Sequence, residues 1–244
     1  MDMDKDPRED PFLLYRFHAA DLRPDLSLAL KAAGYPEGQG ASPQVVAQVE
    51  KALALVEDAV DLQAVIRFVD LEFSQGKRAG FALPEGPGFS THLVSRVLSR
   101  ANQWAGFAVT LGEKASALAR ENRESLLLSY CLDAMASLFA ETLADRLQER
   151  VVADLAESGL VSGYRYSPGY CDWPHADNRA LIGIVEAHRI GIRLTSGGMM
   201  IPEKSVSGVM GFGLPESGVL ESPCRRCGNT TCTHRREARI PPRA

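Results

Sequence analysis

Most of the short signatures that announce a chemistry are missing from this chain. No Gly-x-Gly-x-x-Gly opens a helix after a strand, no Gly-Lys-Ser/Thr loop offers backbone amides to phosphates, and no His-Glu-x-x-His places two metal ligands on one helix face. Gly208, Gly211 and Gly213 fall inside or just after a stretch that reads as a strand, the wrong context for a dinucleotide fold. Ser205-Val-Ser-Gly208 lacks the Gly-x-Ser-x-Gly elbow of a serine hydrolase. Charge of one sign is also scarce. Lys+Arg 27 against Asp+Glu 31 leaves a net charge of -4, so no polyanion-binding surface and no nucleic-acid partner are expected. No apolar run reads as long enough to span a bilayer, and the charged first ten residues have no apolar core, so no membrane partner is expected either. Cysteines number only 5, an odd count with three crowded near the C-terminus; this argues against a secreted disulfide framework and for a reducing, cytoplasmic location.

What is present suits a chain that buries a substantial core, with 244 residues of which 45% are hydrophobic. No internal repeat and no long flexible linker divide it. Residues 1–10 are expected to be disordered, 11–213 to form one α+β unit, and 214–244 to form a cysteine-containing loop with a basic tail. Short helical pieces are expected between Pro11 and Gly34, then a helix from Ser42 and Pro43, where serine caps and proline opens the first turn. Ala64–Phe73 reads as a strand, Phe81–Phe89 as an irregular edge, Thr91–Asn102 as a helix and Trp104–Leu111 as a strand. Between Glu113 and Glu157 there is neither glycine nor proline. Leu126, Leu127, Tyr130, Ala134, Leu138, Leu143 and Leu147 there recur at helical spacing, which predicts at least one long helix, with Glu141 at the edge of its buried stripe. A helix over Asp177–His188, a strand over Ile190–Thr195 and a strand over Glu203–Phe212 follow. The glycines of the last one predict that another backbone or a ligand approaches closely.

Two stretches carry chemistry. Arg165-Tyr-Ser-Pro-Gly-Tyr-Cys-Asp-Trp-Pro174 gathers a cation, two tyrosines, a tryptophan and a thiol around a Pro168-Gly169 turn. It reads either as a rigid turn with a buried aromatic clasp or as a ligand loop, in which Arg165 holds a carboxylate and Tyr170 covers a flat heterocycle. The second stretch is Cys224-x2-Cys227-x4-Cys232, flanked by Arg225, Arg226, Arg235 and Arg236, which lower thiol pKa values. Three thiolates need a fourth ligand. Cys171 is the first candidate and His234 the second, and the set suits either a [4Fe-4S] cluster or structural zinc. Cys131, in the helical region, reads as a core thiol.

Arg165-x-Ser-Pro-Gly-Tyr170, the preceding Ala140-Glu-Thr-Leu-Ala-Asp-Arg-Leu-Gln-Glu-Arg-Val151, and the later Met199-Met-Ile-Pro-x-x-Ser-Val-Ser-Gly208 together resemble the reactivation domain of vitamin B12-dependent methionine synthase. The resemblance implies a C-shaped α+β domain with a twisted antiparallel sheet flanked by helices. It implies binding of S-adenosylmethionine by Arg165 through the methionine carboxylate, by Glu141 through the ammonium, and by the backbone around Ser167 through adenine or ribose. Tyr170 would lie between nucleoside and corrin. The implied activity is reductive remethylation of cob(II)alamin on a separate cobalamin-dependent methionine synthase or another corrinoid protein, with an electron donor such as ferredoxin or flavodoxin. Cys171, Cys224, Cys227 and Cys232 resemble a metal-binding pattern of free-standing relatives, from which an iron-sulfur cluster beside the loop is expected. The other reading is a non-catalytic docking module for a corrinoid protein, with the cysteines holding structural zinc.

Overall fold

Period-two alternation in three of the longest strands builds one sheet with a core on each face. A computed structural model describes residues 11–35, 40–76, 79–225, 227–228 and 231. The strands are β1 (Phe12–Arg16), β2 (Gln63–Val69), β3 (Glu72–Ser74), β4 (Gly80–Ala82), β5 (Gly88–Ser90), β6 (Gln103–Thr110), β7 (Val161–Ser162), β8 (Arg193–Leu194), β9 (Met200–Ile201) and β10 (Ser205–Gly213). The main sheet is antiparallel in the order β1-β2-β6-β10-β7, beside a small β3-β4-β5 sheet and a β8-β9 hairpin. Alternate residues point to opposite faces of a strand. Ala64, Ile66, Ala105, Phe107, Val109, Met210 and Phe212 therefore enter one core, while Val65, Ala108 and Val209 enter the other.

The first core is covered by α1 (Leu26–Ala32), α2 (Pro43–Ala59), α4 (Gly112–Glu121) and α5 (Leu126–Asp154). The second is covered by α3 (His92–Leu98), α6 (Asn178–Ile184) and the small sheet. The start of α2 is as expected: the Ser42 Oγ accepts from the Val45 N–H at 3.4 Å, with Pro43 opening the first turn. In α5 the buried positions Cys131, Met135, Phe139, Leu143 and Leu147 recur every fourth residue. Each large apolar side chain so buried is worth about 1.5–3 kcal/mol.

Several expectations change. Residues 12–16 form a strand rather than a helical piece, because Phe12 to Arg16 pair in register with Arg67 to Gln63. Phe81–Phe89 is not an irregular edge: Phe81 and Phe89 are register partners in the small sheet. The expected strand over 64–73 divides between two sheets, and Ile190–Thr195 contributes only β8. The glycine-free and proline-free stretch holds two helices, α4 and α5. Of the expected stripe of α5, Leu143 and Leu147 are buried, but in its first turns the buried face is rotated, leaving Leu126 and Tyr130 exposed. By length and composition α5 could cross a membrane, contrary to the sequence expectation. Its apolar face is instead packed on the sheet, α2 and α4, as in a core helix.

The close approach expected in the last long strand is present. A Cβ on Gly208 would lie 2.5 Å from the carbonyl oxygen of Tyr166 and 2.8 Å from the Phe107 ring. Gly208→Ala is therefore expected to destabilise the fold by about 1–3 kcal/mol, as overpacking does. Chemical denaturation would measure it, and an unchanged midpoint would contradict the packing described.

Candidate functional site

The stretch from Arg165 to Pro174 is fixed at several points. Its backbone joins the sheet where Tyr166 and Val209 exchange hydrogen bonds of 3.0 and 2.8 Å, and the Ser167 Oγ donates to the Ser207 carbonyl at 2.6 Å. Ser207 in turn donates to Asn178 Oδ1 at 2.7 Å, which ties the strand to α6. The turn then closes at Pro168-Gly169, with the Tyr170 N–H donating to the Ser167 carbonyl at 3.0 Å and Gly169 at φ 99°. Only glycine takes that angle without strain. Finally Trp173, 2% exposed, lies edge-on to Phe81 and Phe89 with centroids 5.3 and 5.5 Å away, and its Nε1 donates to Asp177 at 3.0 Å.

The aromatic-clasp reading of this loop holds for one residue in particular. Trp173 is the clasp, and Tyr170, 41% exposed, is the side chain presented outward. Asp172 fastens the loop to α3. It accepts from the Thr91 hydroxyl at 2.6 Å, from the His92 N–H at 2.6 Å and from the Leu93 N–H at 3.1 Å. These are first-turn amides of α3, which have no partner within the helix. Cys171, between these anchors, is exposed and held at φ 55°.

Arg165 turns the other way, toward α5. Its side chain is only 8% exposed, and its Nη2 meets Asp145 at 2.5 Å and Glu141 at 3.7 Å. The two carboxylates are four residues apart, neighbours on one helix face. Glu141 does not point into the core, as its place beside the apolar stripe suggests; its side chain is 49% exposed and reaches Arg165 along the surface. The helix is locked to the loop's start by Gln148, whose Nε2 donates to the Gly163 carbonyl at 2.7 Å and to Ser162 Oγ at 2.9 Å. Asp145 and Asp172 were not picked out as site residues by sequence. The first had a signal, its spacing from Glu141; the second is recognisable only from the position of α3.

The structure thus brings together Glu141 and Arg165 on one side and Ser167 and Tyr170 at the turn. The cysteines are less gathered. Cys224 is half-buried in a turn, Pro223–Arg225, that packs on α3, the helix that Asp172 caps, and Cys227 is buried. Cys232 and His234 lie outside the described residues. Among the described residues no group of three or more His, Cys, Asp or Glu side chains is placed to hold a metal ion. The spacing-derived metal set is therefore not assembled by the residues described. Cys131 behaves as expected of a core thiol: it is buried within α5, and burial raises its pKa. In metal-free, reduced protein Cys131 is expected to react with a maleimide only as fast as the chain unfolds, because the thiolate is the nucleophile and here it is both hidden and disfavoured. Mass spectrometry of the labelled peptides checks this, and labelling of Cys131 alongside Cys171 would contradict it.

The chain is thus an α+β domain in which an arginine-led turn beside an antiparallel sheet faces two helix carboxylates. Residues 90–221 match the family model described as "Vitamin B12 dependent methionine synthase, activation domain", and the chain belongs to that family. The α+β fold with an antiparallel sheet flanked by helices, expected from the sequence, is shared with a solved structure, the MetH reactivation domain in a crystal structure with bound AdoHcy. That structure is similar at a TM-score of 0.61 and 18% identity over 82% of this chain and 78% of the other. The matched family span includes Glu141, Arg165, Ser167, Tyr170 and Cys171, and ends before Cys224.

Proposed function

We propose that the chain reactivates a separate cobalamin methyltransferase, methionine synthase first, by remethylating its cob(II)alamin with S-adenosylmethionine. The observation that carries this reading is the Arg165 guanidinium: nearly buried, within the family span, and contacted by both α5 carboxylates through Nη2. Nη2 holds those carboxylates, the fork carries further N–H donors, and a carboxylate is the group that arginine donors bind best. The AdoHcy held by the solved relative supports a site of this class.

In this reading Arg165 grips the methionine carboxylate, Glu141 accepts the ammonium, the backbone at Ser167 meets the nucleoside, and Tyr170 separates it from the corrin. An electron from a ferredoxin- or flavodoxin-type donor converts cob(II)alamin to cob(I)alamin. The cobalt electron pair then attacks the sulfonium methyl carbon, the carbon–sulfur bond breaks, and S-adenosylhomocysteine leaves. No proton moves, so no side-chain base is needed; the protein's work is positioning. The test is to combine the protein with cob(II)alamin-loaded methionine synthase and a reductant and to follow the corrinoid spectrum. Methylcobalamin should form only when both this protein and S-adenosylmethionine are present. Docking to the synthase without any remethylation would favour the non-catalytic module instead.

The metal site is a separate part of the proposal: Cys171, Cys224, Cys227 and Cys232 binding a [4Fe-4S] cluster or zinc. Its support is the spacing of the C-terminal cysteines together with the packing of the Cys224 turn on α3, the helix whose first amides Asp172 caps. Anaerobic purification with iron, sulfide and zinc analysis, repeated for Cys227→Ser, tests it; wild type containing neither metal would end it.

A further inference from the structure

The charges beside Arg165 do not balance. On the C-terminal half of α5, Arg146 pairs with Glu149 at 2.7 Å and Arg150 with Asp154 at 2.9 Å. Arg165 meets Glu141 and Asp145, and Asp145 also lies in the field of Arg146, so three guanidiniums face four carboxylates along this surface, one negative charge in excess. Within the proposed site Arg165 is matched by the ligand carboxylate and Glu141 by the ligand ammonium. The unmatched group is Asp145. S-adenosylmethionine carries one more positive charge, its sulfonium, and S-adenosylhomocysteine does not, because that charge leaves with the methyl group.

We infer that Asp145 is a specificity-determining residue: it holds Arg165 through Nη2 and supplies the negative charge that favours the sulfonium donor over its neutral product. Methyl transfer then removes the attraction that held the donor, and the product is released in preference. The inference rests on the S-adenosylmethionine reading of the site. With its side chain 60% exposed, Asp145 acts through a solvated, salt-screened field.

Calorimetric titration of S-adenosylmethionine and S-adenosylhomocysteine into wild type, Asp145→Asn and Asp145→Glu separates the possibilities. Asp145→Asn preserves shape and a hydrogen-bond acceptor but removes the charge. It should weaken S-adenosylmethionine by about threefold at low salt while leaving S-adenosylhomocysteine nearly unchanged. Asp145→Glu should keep the wild-type ratio, and added salt should erode that ratio in wild type but not in Asp145→Asn. Equal weakening of both ligands would mean that Asp145 only positions Arg165, since both ligands share the carboxylate that Arg165 would hold; that result, or an unchanged ratio, overturns the inference. Wild type that binds neither ligand would remove the parent reading, and this inference with it. Wild type that binds both with a ratio insensitive to Asp145 leaves the parent reading standing.

Discussion

Trp173→Ala is expected to lower the unfolding free energy by about 3–5 kcal/mol, the usual cost of truncating a fully buried aromatic residue. The indole sits edge-on between Phe81 and Phe89 and bonds Asp177, so its removal opens a cavity and leaves an acceptor without its donor. The consequence extends beyond stability. Gly169 and Trp173 are joined by a 2.8 Å backbone hydrogen bond, so the turn that presents Tyr170 is closed by the residue that anchors it. Under conditions where the variant is still folded, S-adenosylmethionine binding should fall as well. Trp173→Phe, which refills most of the cavity, should recover the greater part of both. Urea denaturation and calorimetry read the two effects, and a Trp173→Ala variant within about 1 kcal/mol of wild type would refute the clasp, being no more than an ordinary surface change.

Arg165→Ala is expected to weaken S-adenosylmethionine by about a hundredfold, the loss of a bidentate charge-assisted pair worth about 3 kcal/mol. Folding should suffer less. Glu141 and Asp145 are both about half exposed, so water can take over their solvation when the guanidinium is gone. Arg165→Lys should fall between, since it restores the charge without the planar fork. Calorimetric affinity alongside a thermal melt separates binding from folding. Affinity retained in Arg165→Ala would exclude Arg165 from the ligand site whatever its family position implies.

How much of this was legible beforehand differs by element. The start of α2 could be read from Ser42 and Pro43, because a helix cap is a local matter of backbone amides and one side chain. The long helix was legible in kind, and in phase at Leu143 and Leu147 but not in its first turns. Leu126 and Tyr130 have the hydrophobicity of a buried stripe, yet Cys131, Met135 and Phe139 face the sheet, since the choice of face depends on what the helix packs against. Strand β1 was read as helical because its few apolar residues fit both periods, and pairing with β2 decided between them. The Phe81–Phe89 region, rich in proline and glycine, hid two short strands that exist only as partners of each other and of β3.

The sequence by itself determined the candidate site's vocabulary: an arginine, a Pro-Gly turn, two tyrosines, a tryptophan and a carboxylate on a helix, in an order that also identifies the family. These follow from residue chemistry and local backbone preference. The tertiary structure decided the grammar. It divided the loop between clasp and presentation, brought Asp145 closer to Arg165 than Glu141 is, and recruited Asp172 to cap a helix some eighty residues away in the chain. Such pairings depend on how α3, α5 and β10 are stacked. No pattern within a single stretch encodes the distance between charges that meet only after the sheet has formed.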